Sequence, residues 1–152
     1  MNAEAIIGLV NLLGAGILAG EEFTIRYGLR APLASLDQYA HIQLRQALIR
    51  RLRILVPAIF GLAIVSGAAT TIVNGFDQGF AFRCAGLLGL ATFIGITLTG
   101  TVPINQAALD WDPVAPPSNW QTMVHTWERL DTVRCWAAMT AFVLFLIALT
   151  VR

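Results

Sequence analysis

Four long apolar stretches alternate with more polar connections along the chain. They occupy residues 5–25, 54–73, 84–101 and 133–151. Crossing the hydrocarbon core of a bilayer takes about 20 residues of α-helix, and each stretch reaches or approaches that length with its flanking residues. The pattern predicts an all-α integral membrane protein in which residues 1–152 form a single domain, a bundle of four transmembrane helices.

The two long connections resemble each other, which predicts an internal repeat of two units. Each passes one or two prolines and then reaches a serine, a glutamine three residues later and a histidine. These residues are Ser35, Gln38 and His41 in the first connection and Ser118, Gln121 and His125 in the second. Serine and glutamine at this spacing are typical of a capping box at a helix start. Helices 2 and 4 are therefore expected to begin in the connections and to extend beyond the bilayer.

Composition and charge agree with a membrane location. The chain is 57% hydrophobic and 12% charged, with a net charge of +1, whereas soluble domains carry about 25% charged residues. The near-neutral balance offers no basic surface to nucleic acid, so no nucleic-acid partner is expected. Cys84 and Cys135 lie in apolar stretches, where a thiol acts as a small hydrophobic group.

Arginine placement predicts the orientation in the membrane. Most arginines lie in or beside the two long connections, at positions 26, 30, 45, 50, 51, 53, 129 and 134, and only Arg83 and Arg152 flank the other side. Because cytoplasmic loops carry the excess of basic residues, both termini are expected outside and both long connections in the cytoplasm. A bacterial inner membrane is the expected location. The first stretch lacks a basic start and a cleavage site, so it is expected to remain as a span.

Ionisable residues gather near one end of the predicted spans. Helical spacing places Glu22 with Arg26, and His41 with Arg45, on single helix faces. Trp127, Asp131 and Arg134 share a face of helix 4 in the same way. Ionisable groups at membrane depth cost several kcal/mol unless they serve a purpose. The pattern thus predicts a polar pocket near the inner leaflet.

Each of these residues also has a structural interpretation. Glu22 with Arg26, and Asp131 with Arg134, are equally consistent with ion pairs on the surface of one helix. Tryptophans are typical of the aromatic belt at the membrane interface. The glycines of the first and third spans are typical of close helix contacts.

The segments TVPIN, WDPVAPP and WERLDTVR follow one another from the end of the third span to the start of the fourth, and GILAGEEF lies in the first span. In these segments the chain resembles the anthrone oxygenase-like family of small four-helix membrane proteins. The matching positions are Val102, Pro103, Asn105, Trp120, Trp127, Asp131 and Arg134. Asp131 stands where the family often has a histidine, so a role for imidazole would pass to His41 or His125.

This resemblance implies a membrane oxidoreductase, a cofactor-independent monooxygenase that oxidises a hydrophobic aromatic substrate with O₂ as co-substrate. A base would form an enolate, and a guanidinium and an amide would stabilise its oxyanion. The expected catalytic residues are His41, Asp131, Arg134 and Asn105. The expected substrate-binding residues are Glu21, Glu22, Arg26, Arg45, Trp111, Trp120 and Trp127.

Three other functions stay open. A metalloenzyme would use Glu21, Glu22, His41, His125 and Asp131, whose ligand types suit iron, manganese or copper, although the chain has no Glu-x-x-His or His-x-x-x-His pair. A haem protein would use His41 and His125 as axial ligands. A non-enzymatic protein would bind a lipid or pigment or serve as an accessory subunit. Glycine-rich spans would equally suit a homo-oligomer or a larger membrane assembly.

Overall fold

A computed structural model describes residues 3–151 of the chain, and all regular structure within this range is helical. Four helical segments are long and apolar enough to cross a membrane: α1 (Ala3–Ala34), α2 (Gln38–Asn74), α3 (Phe80–Leu109) and α4 (Trp120–Thr150). Each contains one of the predicted spans. The predicted four-helix bundle is confirmed.

All four helices are longer than the hydrocarbon core. They contain 32, 37, 30 and 31 residues, which at 1.5 Å per residue gives lengths of roughly 45–56 Å. A typical hydrocarbon core is only about 30 Å thick. The expected extension of helices 2 and 4 is therefore present, and α1 and α3 are extended as well.

Two of the helices contain a π-helical turn at similar places in the two halves of the chain. In α1 the turn covers Thr24–Leu29 and is followed by a short α-helical segment, Arg30–Ala34. In α3 it covers Thr97–Thr101 and is followed by Val102–Leu109. Each half thus consists of a span, a π turn, a short helical end, a connection and a long helix. This matching order agrees with the predicted internal repeat.

The predicted capping boxes are wrong. The start of α2 is capped by Asp37, whose carboxylate accepts a hydrogen bond of 2.9 Å from the backbone N–H of Ala40. The Ser35 hydroxyl instead donates to the carbonyl of Pro32 at 2.7 Å. The start of α4 lies after Asn119, which makes no capping hydrogen bond. Asp37, and not Ser35, is the capping residue because it stands directly before Gln38, the first residue of α2.

Small residues bring the helices together around an apolar core. α1 and α3 each pack against α2 and α4, and the core includes Leu18, Ala63, Phe93 and Phe145. A Cβ atom on Gly86 would lie 2.9 Å from the Phe145 ring, so this glycine is a close helix contact as predicted. Gly20 and Gly95 of the same predicted set face open space instead.

The connection after α3 is held against the start of α2. Nε2 of Gln46 donates to the carbonyls of Ala108 and Trp111, each at 2.9 Å. Ile42, Val124 and Trp111 form a second apolar cluster beside these bonds. The polar end of the bundle is therefore closed by a packed cap.

An arginine is buried at the opposite end. Arg83 donates to Asp77 at 2.7 Å and to the carbonyl of Gly75 at 2.8 Å, joining the short loop between α2 and α3 to the start of α3. Arg152, which was expected on the same side of the membrane, lies outside the described residues.

Candidate functional site

A cavity of about 340 Å³ lies in the half of the bundle that contains both π turns. This volume is within the usual range for a small-molecule site. Most of its surface is apolar, and all four helices contribute to it. The polar residues that line it are Glu21, Arg30, Arg45, Arg53, Thr97, Thr101, Asn105, Gln106, Trp127, Glu128 and Arg134.

The π turn of α1 determines which side chains reach this cavity. Glu21 lies before the turn and Arg30 after it, and both line the cavity. Nine residues of continuous α-helix would place them on opposite faces. A π turn adds one residue to a helical turn and so shifts the phase by about 100°. Glu21 and Arg30 are thereby brought towards the same side.

A buried ion pair joins α1 to α4 beside the cavity. Arg134 donates to the carboxylate of Glu22, a side chain with 0% exposure. The same guanidinium donates to the Thr101 hydroxyl at 3.3 Å and lies 4.7 Å from the centre of the Phe93 ring. The position of Arg134 is therefore determined by contacts with two other helices, α1 and α3.

A second group of contacts crosses between the same two helices. Nε of Arg30 lies 4.0 Å from the carboxylate of Asp131, and its terminal nitrogens donate to the Glu128 carbonyl and towards the Thr132 hydroxyl. Arg26 also donates to Thr132. These arginines of α1 are consequently bound to α4.

The interpretation of Glu22 with Arg26, and of Asp131 with Arg134, as surface pairs within one helix is wrong. Both acids are completely buried, and their close ion pairs within residues 3–151 are Glu22 with Arg134 and Asp131 with Arg30. The acids point into the interface between α1 and α4, where the arginine in reach belongs to the other helix.

Several polar atoms of the cavity residues are buried without a hydrogen-bond partner. They are both carboxylate oxygens of Glu21, the Nε atoms of Arg30, Arg45 and Arg134, Oδ1 of Asn105 and Nε1 of Trp127. Leaving a buried polar group unsatisfied costs about 1–3 kcal/mol. Six residues of one cavity have such atoms, which indicates a site for the polar groups of a ligand.

Glu21 and Glu22 are neighbours in sequence with different surroundings. Glu22 accepts from Arg134. No N–H or hydroxyl group donates a hydrogen bond to the Glu21 carboxylate. The polar side chain beside it is the Glu22 carboxyl. Glu21 is therefore the carboxylate of the pair that is available to a molecule in the cavity.

The structure brings together five of the residues expected to form the site. Glu21, Arg45, Asn105, Trp127 and Arg134 all line the cavity. Three further expected residues do not line the cavity. Glu22 pairs with Arg134, Asp131 lies beside Arg30, and Arg26 donates to Thr132.

The remaining expected residues lie elsewhere. His41 packs edge-on against Trp120 with 5.4 Å between ring centres, and Trp120 packs against Trp111 at 6.3 Å. These three side chains belong to the packed cap and are not part of the cavity lining. The His125 side chain is 75% exposed and lies 3.5 Å from Glu128.

Sequence reasoning missed Arg30, Thr101 and Glu128 as residues of the cavity. A signal existed for two of them: Arg30 continues the spacing of four from Glu22 through Arg26, and Glu128 precedes Asp131 by three positions. Thr101 gave none, because its position depends on the π turn of α3.

The potential metal ligands do not converge. Within residues 3–151, no group of three or more His, Cys, Asp or Glu side chains has the geometry to hold a metal ion. The set of Glu21, Glu22, His41, His125 and Asp131 is accordingly divided between the cavity, the α1–α4 interface, the cap and the surface. His41 lies in the cap and His125 on the surface.

The chain matches no family model, no curated protein and no solved structure. What the site can do therefore follows from its own chemistry. The apolar surface accommodates a hydrophobic molecule, the Glu21 carboxylate can accept a proton, and the guanidinium groups can stabilise negative charge.

Proposed function

We propose that the protein is a membrane oxidoreductase that oxidises a hydrophobic phenol of the anthrone type with molecular oxygen and without a cofactor. The observation that supports this most directly is the position of Glu21. Its carboxylate is buried, receives no N–H or hydroxyl donor and lines a largely apolar cavity. A base in such a site can remove a weakly acidic C–H proton from a substrate while water is excluded.

The chemistry balances without a further reductant. Glu21 removes a proton from the methylene carbon of the substrate and leaves an electron-rich enolate. The enolate carbon gives its electrons to O₂, a C–O bond forms, and protonation yields a hydroperoxide. Loss of the second C–H proton and cleavage of the O–O bond release water and leave a carbonyl. The sum is one CH₂ and one O₂ converted to one C=O and one H₂O, so the substrate supplies all four electrons.

The remaining residues of the cavity would stabilise and orient the enolate. Arg134 presents a fixed positive charge, because Glu22 and Thr101 hold its guanidinium. A preorganised donor of this kind stabilises a developing oxyanion. The Asn105 amide, which lines the same cavity, would orient the oxyanion by hydrogen bonding. In this proposal Glu21 takes the role of base that the sequence suggested for His41, and Asp131 serves as the counter-anion of Arg30.

The substrate would reach the cavity from the bilayer. The cavity surface includes the half-buried side chains of Leu52, Val56 and Val102 from α2 and α3, so a hydrophobic molecule can move from lipid into the bundle without crossing water. The proposed setting is a bacterial inner membrane with both long connections in the cytoplasm, which would place the site near the inner leaflet.

Turnover of an anthrone by the purified protein tests the proposal. Protein in detergent is mixed with a hydroxylated anthrone in air-saturated buffer, and quinone absorbance and oxygen consumption are followed together. We expect one O₂ consumed per quinone, at a rate above the spontaneous oxidation, and one ¹⁸O atom incorporated from labelled O₂.

The variant Glu21→Gln should lower this enzymatic rate by about 10²- to 10⁴-fold, the usual contribution of a general base. Glu4→Gln is the matched control, because Glu4 is exposed near the other end of α1. A wild-type rate equal to the spontaneous rate would overturn the proposal and favour a protein that binds a lipid or pigment without reaction. An unchanged rate in Glu21→Gln would remove Glu21 as the base.

A further inference from the structure

Arg45 is a buried guanidinium that no described acid approaches within ion-pair distance, although Glu128 and Asp131 attract it from farther away. The buried arginines among residues 3–151 are Arg45, Arg83 and Arg134. Arg83 is paired with Asp77 and Arg134 with Glu22. Arg45, with only 6% exposure, forms no hydrogen bond and no close ion pair within the same range.

Such a group is costly unless something else supplies the negative charge. Transfer of a guanidinium from water to a protein interior is unfavourable when no anion accompanies it. The Arg45 guanidinium lies over the Trp127 ring, 4.9 Å from its centre, and this cation–π contact compensates only in part. Because Arg45 lines the cavity, a bound molecule can provide the missing anion.

The indole N–H of Trp127, beside Arg45, is a second donor without an acceptor. Nε1 of Trp127 is buried and unpartnered, and Trp127 also lines the cavity. Two neighbouring residues therefore offer N–H groups and no acceptor. A carboxylate satisfies both, since its two oxygens accept hydrogen bonds and its planar shape matches a guanidinium.

Among the arginines that line the cavity, Arg45 is the one that has neither an acid within ion-pair distance nor exposure to solvent. Glu22 neutralises Arg134, and Asp131 lies beside Arg30. Arg53, which also lines the cavity, is exposed and needs no buried partner. The cavity also contains the carboxylates of Glu21 and Glu128, and Glu128 attracts Arg45 from beyond ion-pair distance. With these acids present, a carboxylate with one charge suits Arg45 better than a phosphate with nearly two.

We propose that Arg45 and the indole N–H of Trp127 form a subsite for an ionised carboxylate carried by the hydrophobic ligand. The preferred ligand of the cavity is then an amphiphilic aromatic acid. This inference rests on the proposed function only for the orientation of a substrate, with the acid group at Arg45 and the reacting carbon at Glu21. The evidence for the subsite itself is the unpaired N–H donors of Arg45 and Trp127.

A binding experiment with an unreactive pair of probes tests the subsite without any turnover. Anthracene-2-carboxylate and anthracene-2-carboxamide have nearly the same size and differ in charge. Their dissociation constants for the detergent-purified full chain are measured by probe fluorescence in one detergent at one pH. We expect the carboxylate to bind about tenfold more tightly or better, since a hydrogen bond to a charged group contributes more than a neutral one.

Variants show whether Arg45 causes that preference. Arg45→Gln should abolish the preference, and Arg45→Lys should retain part of it, because lysine keeps the charge and loses the planar fork. Trp127→Phe, which keeps a ring and removes the N–H, should reduce the preference by a few fold. Arg51→Gln is the matched control, since Arg51 is an exposed arginine of the same helix that does not line the cavity.

Equal affinities of the wild type for the two probes would overturn the subsite, as would an undiminished preference in Arg45→Gln. If Arg45→Gln does not fold, Arg45→Lys and Trp127→Phe decide, and a full preference for the carboxylate in both variants overturns the subsite.

The two proposals fail separately. A preference that depends on Arg45, without any quinone formation, removes the oxygenase alone, whereas quinone formation with equal probe binding removes the subsite alone.

Discussion

The buried pair of Glu22 and Arg134 gives the sharpest prediction for stability. Glu22→Gln keeps the size of the side chain and one oxygen, but it leaves the guanidinium of Arg134, which is only 7% exposed, without its counter-anion. Removing one partner of a buried ion pair costs about 3–5 kcal/mol. For a chain of this size each kcal/mol lowers the melting temperature by about 2–4 °C. The expected loss is therefore roughly 6–20 °C.

The measurement is thermal unfolding of wild type and variants in one detergent, with a double-mutant cycle. Arg134→Met alone should also destabilise the protein, because it leaves the Glu22 carboxylate buried and unpaired. The double variant Glu22→Gln with Arg134→Met should be more stable than the sum of the single losses, since neither charge then remains uncompensated. Glu4→Gln, an exposed substitution, should change the free energy of unfolding by less than about 0.5 kcal/mol. The reasoning is refuted if Glu22→Gln melts within about 2 °C of wild type, or if the two single losses simply add.

Three further predictions concern the scaffold, and the same melting assay checks each. Gly86→Ala should cost about 1–3 kcal/mol, because the added Cβ would lie 2.9 Å from the Phe145 ring; a neutral effect would mean that this ring can move aside. Asp37→Ala should cost about 0.5–2 kcal/mol through loss of the cap, whereas Asn119→Ala should cost almost nothing, and equal effects would contradict the assignment of the caps. Gln46→Leu should cost about 1–3 kcal/mol, since two backbone carbonyls of the cap lose their donor; a stabilised variant would show that the cap does not depend on them.

The two halves of the chain share an architecture and differ in chemistry. Both have a π turn near the end of the first span of the unit. The first half places the paired carboxylates of Glu21 and Glu22 just before this turn, while the second half has threonines in its own turn. His41 is buried in the cap, and its counterpart His125 is on the surface. A scaffold of two similar units thus carries its charged groups unequally.

Much of the fold followed from sequence alone. Four apolar stretches of spanning length determine four membrane helices, because a backbone in lipid must satisfy its hydrogen bonds within the helix. The polar end of the bundle was also predictable, since charges such as Glu22, Asp131 and Arg134 cannot face the lipid and must lie between helices. The sequence thereby determined that five of the expected residues would meet in one region.

Tertiary structure alone decided which of these groups are paired and which are free. Spacing along one helix pairs Glu22 with Arg26, but the partner in the bundle is Arg134 of another helix, and no spacing rule reports contacts between helices. The π turn of α1 shifts the phase so that Glu21 and Arg30 line one cavity, and this turn depends on how the helices pack. Arg45 is left without an ion-pair partner for the same reason, since Asp131 lies beside Arg30 and the Glu128 carboxylate lies beside His125.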